Sequence, residues 1–442
     1  MIAFELAVPA RIVFRAGAAG ELGAMTGEFG RRALLVTGRA AGRAAGAVRA
    51  LEAAGIALTR FTVEGEPTIE VARAGVAAAR EARCEVVVGL GGGSALDAAK
   101  AIAALLGNGG DPLDYLEVIG RGRPLLQPSA PFVAVPTTAG TGSEATKNAV
   151  LASPEHGVKA SLRSPFMLPR VALVDPDLLD GLPAGVLAAG GLDALSQLIE
   201  PYVSIRANPF TDGLAREGIR RSAGALRRAF AAARASTSEP SEGSEPPAMG
   251  SPERSSRSPT RASTSEPSEG SEPPAMGSPE RSSRSPTRAA IAADDREGLA
   301  LASLHGGLCL ANAALGAVHG FAAPVGGLFA APHGAVCAAL LPAVMRVNAR
   351  ALASRAPTSP ALARYRDVAA LVTGEPSATI DDGIGWVTEL CRALEVPGLA
   401  RYGLTAAGVP ALIEKARVAS SMKGNPIALT DDELTEIATT AL

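Results

Sequence analysis

Apolar and polar positions divide the chain into two kinds of pattern. Through the first 180 residues, short aliphatic or β-branched runs alternate with amphipathic stretches. The runs Arg11–Phe14, Ala33–Thr37, Ile56–Val63, Val86–Leu90, Phe132–Pro136, Val158–Leu162 and Val171–Val174 read as strands. Arg43–Ala54, Thr68–Ala82 and the alanine-rich stretch after Ser94 read as helices. This alternation predicts a parallel sheet covered by helices, with unbroken apolar runs where strands are buried on both faces. From Pro183 the pattern is helical almost to the end. The expectation is an α/β domain over 1–180 and an all-helical domain over 181–442.

The run Val86–Leu90 ends in Gly91, Gly92 and Gly93, followed by Ser94 and, three residues on, Asp97. That Ser/Asp spacing resembles a capping box and predicts a helix start at Ser94. A strand turning through glycines into a helix N-terminus makes an anion site, because the backbone can approach a ligand and free N–H groups point at it. A nucleotide pyrophosphate is the expected occupant, although an ordinary tight turn would read the same in isolation. The spacing departs from G-x-G-x-x-G, since Ser94 stands where the last glycine would be. Right-handed crossovers place Thr37, Gly38 and Arg39 at the same carboxyl edge as this loop. A further strand, Phe132–Pro136, runs into Thr137, Thr138, Thr141 and Ser143, whose hydroxyls can bond phosphate, ribose or a nicotinamide amide.

In the helical part, Asp193 and Gln197 lie at i and i+4, hence on one helix face among Ala, Leu and Ile. A buried carboxylate there needs a cation or hydrogen-bond donors. Helical patterning resumes at Asp294 and runs through His305 to His319. A loop is expected through Pro324, Gly326 and Gly327, and Pro332-His333 opens the next helix. His319 and His333, both flanked by glycine, form with Asp193 a candidate metal set. His305 falls about four helical turns before His319 on nearly the same face, so it either lines the same cleft or simply packs. Between these helices, residues 234–260 and 261–287 are identical 27-residue copies rich in Ser, Pro, Glu and Arg, with no aromatic. Such a composition cannot offset the entropy of ordering, which predicts a disordered insertion over 234–287.

Composition narrows the class. Hydrophobic residues make up 47% of the chain and charged residues 19%, with a formal net charge of −2. That balance speaks against nucleic acid or an anionic membrane as partner. No apolar run reaches the roughly 18 residues of a membrane span, and Glu5 interrupts an N-terminus that lacks a basic lead, so no signal peptide is read. Cys84, Cys309, Cys337 and Cys391 are far apart and read as buried thiols of a reducing compartment, with cytoplasm as the expected location. His156, in a Ser-Pro-Glu-His-Gly turn, reads as a solvated residue.

Taken together, these segments resemble the iron-containing, or group III, alcohol dehydrogenase family. The matching motifs are Gly91-Gly-Gly-Ser94-x-x-Asp97-x-x-Lys100, Pro136-Thr-Thr-Ala-Gly-Thr-Gly-Ser-Glu144, the Gly-Leu-Asp193-Ala-Leu block, and the pair His319 and His333. The resemblance runs from Arg11 to Ser421–Pro426, broken only by the duplicated insertion. It implies a dehydroquinate synthase-like architecture with the active site between the two domains. It also implies NAD or NADP as cofactor, a divalent iron or zinc ion, and reversible hydride transfer between small alcohols and aldehydes or ketones. The cofactor would be held by Thr37, Gly38, Arg39, Gly91–Ser94, Asp97, Thr137, Thr138, Thr141 and Ser143, and a homodimer is compatible with the family. Asp193, His319 and His333 fall on three of the family's four metal positions, and they would also be the catalytic residues. The fourth, a histidine in the family, is Gln197 here, and a second family histidine near the nicotinamide is Ala323. Gln offers only a weak carbonyl oxygen. A metal-free enzyme of the maleylacetate reductase kind, or a nucleotide-binding protein without redox activity, therefore remains an alternative. Where the family often carries Asp after Val-Thr, this chain has Gly38 followed by Arg39, which favours accepting NADP as well as NAD.

Overall fold

The computed structural model describes residues 3–39, 41–238, 290–329 and 331–442. The first part of the chain carries β1 (Ile12–Phe14), α1 (Leu22–Gly27), β2 (Arg32–Gly38), α2 (Ala45–Ala53), β3 (Ala57–Val63), α3 (Ile69–Glu81), β4 (Val86–Gly91), α4 (Gly93–Asn108), α5 (Pro112–Tyr115), β5 (Phe132–Pro136), β6 (Asn148–Ser153), β7 (Val158–Arg163) and β8 (Val171–Val174). Six strands form one parallel sheet in the order β1-β8-β5-β4-β2-β3. The period-2 alternation within each buried run decides which layer it feeds. Val86, Val88 and Leu90 pack with α1 and α2, whereas Val87 packs with Ile69, Val76 and Ile102 of α3 and α4. Gly75 of α3 lets α4 approach closely, since a Cβ there would sit 2.2 Å from Cδ1 of Ile102.

Two expectations about this part are corrected. β7 does not join the main sheet but forms an antiparallel hairpin with β6, a strand the sequence reading did not place. Helix α4 begins at Gly93, with Gly92 as its N-cap and no side-chain cap, so Ser94 lies inside the first turn rather than capping it. A glycine cap leaves the first N–H groups of the helix without an intrahelical or side-chain acceptor.

The rest is helical: α6 (Ala184–Val203), α7 (Pro209–Ser238), α8 (Ala293–Asn312), α9 (Ala317–Phe329), α10 (His333–Arg355), α11 (Pro360–Thr373), α12 (Ile380–Ala393), α13 (Val409–Val418) and α14 (Asp431–Thr440). Helix α10 is long and apolar enough to cross a membrane, yet 78% of that window is buried in the core. The pattern from Asp294 to His319 is not one helix: α8 stops at Asn312 and α9 turns away by 95°. His305 and His319 therefore do not share a face. Nor is there a loop at Pro324, which lies inside α9. Gly326 and Gly327 make room there for the β6–β7 hairpin. A Cβ on Gly327 would lie 3.1 Å from the carbonyl oxygen of Gly157, and one on Gly326 would lie 3.0 Å from Nζ of Lys159. Of the insertion expected over 234–287, Arg234–Ser238 form the last turn of α7, and the remainder lies outside the described residues.

Candidate active site

The carboxyl ends of β2, β4 and β5 converge. Thr37 pairs with Leu90, Gly91 with Pro136, and the N–H of Thr137 donates to the carbonyl of Gly91 at 2.9 Å. The chain order reverses between β2 and β4, the switch point at which open α/β sheets form their ligand crevice. The glycines after β4 also serve loop-to-loop packing. A Cβ on Gly92 would fall 3.3 Å from Thr138, and one on Gly93 2.6 Å from Cγ2 of Thr141. The hydroxyl loop thus rests directly on the start of α4.

A buried polar knot fixes that loop. Lys100, fully buried on α4, donates from Nζ to the carbonyls of Ser143 (2.7 Å) and Asn148 (2.8 Å) and to Oγ1 of Thr146 (2.8 Å). Asp97 accepts from the hydroxyl of Ser143 at 2.5 Å and from the N–H of Val150 at 3.0 Å. Both Asp97 oxygens are therefore engaged within the protein. The loop in turn meets the helices at backbone distance: Cβ positions built on Gly140 and Gly142 would lie 2.8 Å from Gly190 and 2.5 Å from Gly307, and Ser303 accepts from the N–H of Gly140 at 2.8 Å.

These contacts place a cleft of about 600 Å³ between sheet edge and helices. Gly93, Ser94, Asp97, Thr141 and Ser143 line one wall, and Gln197, His319, Ala323 and His333 the other. Thr37, Gly38, Arg39, Gly91, Gly92, Thr137 and Thr138 sit at the same sheet edge but do not line it. Arg39 is exposed. His305 is outside the cleft too, on α8, its pKa lowered mainly by burial and partly restored by a hydrogen bond to the backbone at Leu214.

At the helical wall, Asp193 from α6, His319 from the first turn of α9, and His333 and Cys337 from the first turns of α10 bring their ligand atoms within 4.8 Å of one another. Oδ1 of Asp193 is 3.4 Å from Nε2 of His319 and 3.5 Å from Nε2 of His333, yet it has no hydrogen-bond partner. Asp193 and Cys337 are fully enclosed, His319 nearly so, and about a third of the His333 side chain reaches solvent. Glu200, two turns beyond Asp193 on α6, accepts from Nδ1 of His319 at 2.6 Å and from the N–H of Val318 at 2.6 Å. That contact engages Nδ1 and turns Nε2 toward Asp193, as an orienting carboxylate does for a ligating imidazole. Burial opposes the charged forms here. The imidazoles of His333 and His319 nevertheless hold the Asp193 pKa below the usual carboxylate value, and Cys337, Asp193 and Glu200 raise His319 well above an ordinary histidine. Gln197 is buried one turn after Asp193, and its Oε1 also has no partner. Two residues escaped the sequence reading: Glu200 and Cys337. Their signal was helical spacing, i+7 from Asp193 and i+4 from His333.

The chain that forms this cleft is similar to known proteins over nearly all of its length. The model described as iron-containing alcohol dehydrogenase matches residues 9–176, and that described as Fe-containing alcohol dehydrogenase family, C-terminal, matches residues 287–442. This chain belongs to the iron-containing alcohol dehydrogenase family. It is 32% identical over 422 residues to the 1,3-propanediol dehydrogenase of Klebsiella pneumoniae, covering 92% of this chain and 90% of the relative. To the lactaldehyde reductase of Escherichia coli strain K12 it is 29% identical over 436 residues, 96% of each chain. Among solved structures, a 1,3-propanediol oxidoreductase superposes over 100% of both chains with a TM-score of 0.79 and 30% identity. A sulfoacetaldehyde reductase from Bifidobacterium kashiwanohense in complex with NAD+ superposes over 100% of this chain and 99% of its own, with a TM-score of 0.76 and 25% identity. The chain is accordingly an oxidoreductase of the iron-containing alcohol dehydrogenase type, and relatives in its family act on small alcohols and aldehydes.

Proposed function

We propose that this chain interconverts a small alcohol and its aldehyde or ketone by hydride transfer to and from NAD or NADP, with one divalent iron or zinc ion held by Asp193, His319 and His333. The observation that carries the reading is the unpartnered, buried Oδ1 of Asp193 facing two imidazole Nε2 atoms at 3.4 and 3.5 Å without hydrogen-bond geometry. A buried carboxylate left so is costly unless a cation completes it, and this donor set suits iron or zinc. When bound, the ion supplies Lewis acidity toward the substrate oxygen.

The remaining work belongs to the chain. Residues 1–180 bind the cofactor, with the open N–H groups at Gly93 and Ser94 facing its phosphates and the Thr141–Ser143 loop, braced by Asp97 and Lys100, fixing its position. Gly38 offers no carboxylate to repel a 2′-phosphate and Arg39 is an exposed cation at that strand end, which supports use of both cofactors. Residues 181–442 supply the cation site and the substrate wall. Glu200 holds the His319 proton at Nδ1. Ala323 carries no titratable group, so the alcohol proton leaves through water or cofactor hydroxyls. The four cysteines are free, which supports a cytoplasmic location.

Metal removal tests the reading. Protein stripped by a chelator and checked by elemental analysis is assayed on a panel of alcohols and aldehydes with NAD and with NADP. Lewis-acid stabilisation of several kcal/mol corresponds to a loss of about 100-fold or more in kcat, restored by iron or zinc. Full turnover by the stripped protein would replace this reading with the metal-free reductase that Gln197 favours.

A further inference from the structure

The side chain at the family's fourth metal position cannot supply an imidazole here, because it is Gln197. We infer that Cys337 takes over that vertex, so that this chain holds its divalent ion through Asp193, His319, His333 and the sulfur of Cys337. The inference rests on the divalent-ion site proposed for Asp193, His319 and His333 and changes its composition.

Four observations support it. Cys337 lies one helical turn after His333 on α10, so both side chains leave the helix on one face toward α6 and α9. Its Sγ is 3.9 Å from Nε2 of His319 and 3.7 Å from Nε2 of His333. With ligands at about 2.0–2.3 Å from a tetrahedral zinc, the ligand-to-ligand edges come to about 3.3–3.6 Å. The two sulfur edges and the two Asp193 edges, 3.4 and 3.5 Å, lie close to that spacing. Cys337 is fully enclosed beside a carboxylate oxygen that has no hydrogen-bond donor, and its sulfur lies within 4.8 Å of the ligand atoms of the other three groups. The other three cysteines do not belong to this cluster.

The chemistry that follows differs from that of one aspartate with three histidines. On coordination the thiol proton passes to solvent and the sulfur binds as thiolate. With Asp193 it then balances both charges of the ion, where an imidazole would leave one positive charge uncompensated. A thiolate also makes the site softer and favours zinc over ferrous iron beyond the ordinary preference of nitrogen and oxygen ligands. Gln197, whose Oε1 is buried without a partner, is then not needed as a ligand.

Cobalt substitution reads this directly. Full-length protein is stripped, loaded with Co2+ alone, and followed by near-ultraviolet absorption, with circular dichroism as the check on folding. Wild type and Cys84→Ala should both show a sulfur-to-cobalt charge-transfer band, and Cys337→Ser should lack it. Zinc affinity, measured by chelator competition, should fall in Cys337→Ser by more than the about 10–100-fold typical of losing an outer-shell partner. Zinc-edge X-ray absorption on wild type needs no variant and should show one sulfur scatterer at about 2.3 Å. Stoichiometric cobalt without the band, a band that survives in Cys337→Ser, or a zinc shell of nitrogen and oxygen alone would each overturn the assignment while leaving the metal reading intact. A wild-type protein that binds neither ion and still turns over would overturn the metal reading itself.

Discussion

Single residues carry much of the electrostatic tension around the cleft. Glu144, in the short turn Ser143–Ala145, is buried, and its Oε1 has no partner. Burial raises its pKa to about 7, the Glu144 backbone N–H and the Lys100 charge offsetting only part of the effect. A raised carboxyl means that the folded chain holds a proton between the ordinary value of 4.5 and about 7 that the unfolded chain has released. Stability from this group is thus present at low pH and lost as pH rises through that window, a span on the order of 3 kcal/mol. Glu144→Gln keeps the shape and removes the titration. Urea midpoints of the two proteins should nearly coincide at pH 4.5, and the variant should be the more stable at pH 8. An unchanged gap at both pH values would show that Glu144 finds a charge partner when ionised. The same scale shows why Cys337 was hard to read from sequence. A lone cysteine in an apolar helix has the statistics of packing, and its i+4 spacing from His333 gains meaning only once α10 is seen to bring both residues against Asp193.

At the scale of elements, the sequence was most legible where pattern and burial coincide. The strands that became β2, β4, β5 and β8 were all found because each is an apolar run enclosed on both faces. β6 was missed because Asn-Ala-Val-Leu-Ala-Ser follows a hydroxyl-rich loop and buries only alternate residues. The break between α8 and α9 was equally hidden, since Ala313-Ala-Leu-Gly316 carries no strong stop signal. The glycine-rich end of α9 misled in the other direction: Gly326 and Gly327 serve close packing against the hairpin, not a loop. Glycine contacts between elements also predict opposite signs for one substitution. A Cβ on Gly307 of α8 would lie 2.2 Å from the carbonyl oxygen of Gly142, a backbone atom that cannot swing aside. Gly307→Ala should destabilise by about 1–3 kcal/mol and weaken cofactor binding by displacing the Thr141–Ser143 loop. Gly224→Ala on the exposed side of α7 meets only the end of Arg228, 3.9 Å away, and should stabilise by up to about 1 kcal/mol through helix propensity. Thermal melts and NAD titrations of the two variants decide the matter, and equal effects would contradict this account of the α8 contact.

For the whole molecule, the two matched family regions leave the 27-residue duplication almost entirely between them. The helices on either side of it are tied to each other independently, as Arg228 of α7 donates to Asp295 of α8 at 2.6 Å and both bury apolar faces in one core. Removing one copy, residues 261–287, should therefore leave the melting temperature and kcat within experimental error of the intact chain, whereas a drop of several degrees would mean that the second copy packs on the enzyme. The ends of the chain behave differently. β1 pairs only with β8, about 160 residues later, and just before it the backbone of Ala7 exchanges hydrogen bonds with the side chain of Asn312 on α8. During synthesis the first strand leaves the ribosome with no partner to join. The sheet edge at β8 stays open until that early segment returns to it, and the link from Ala7 must wait until α8 has emerged. A nascent chain of this topology can close its sheet edge only after Val174 has emerged, and can anchor Ala7 only after Asn312 has, so its amino-terminal segment is the last piece of the α/β part to be fixed in place.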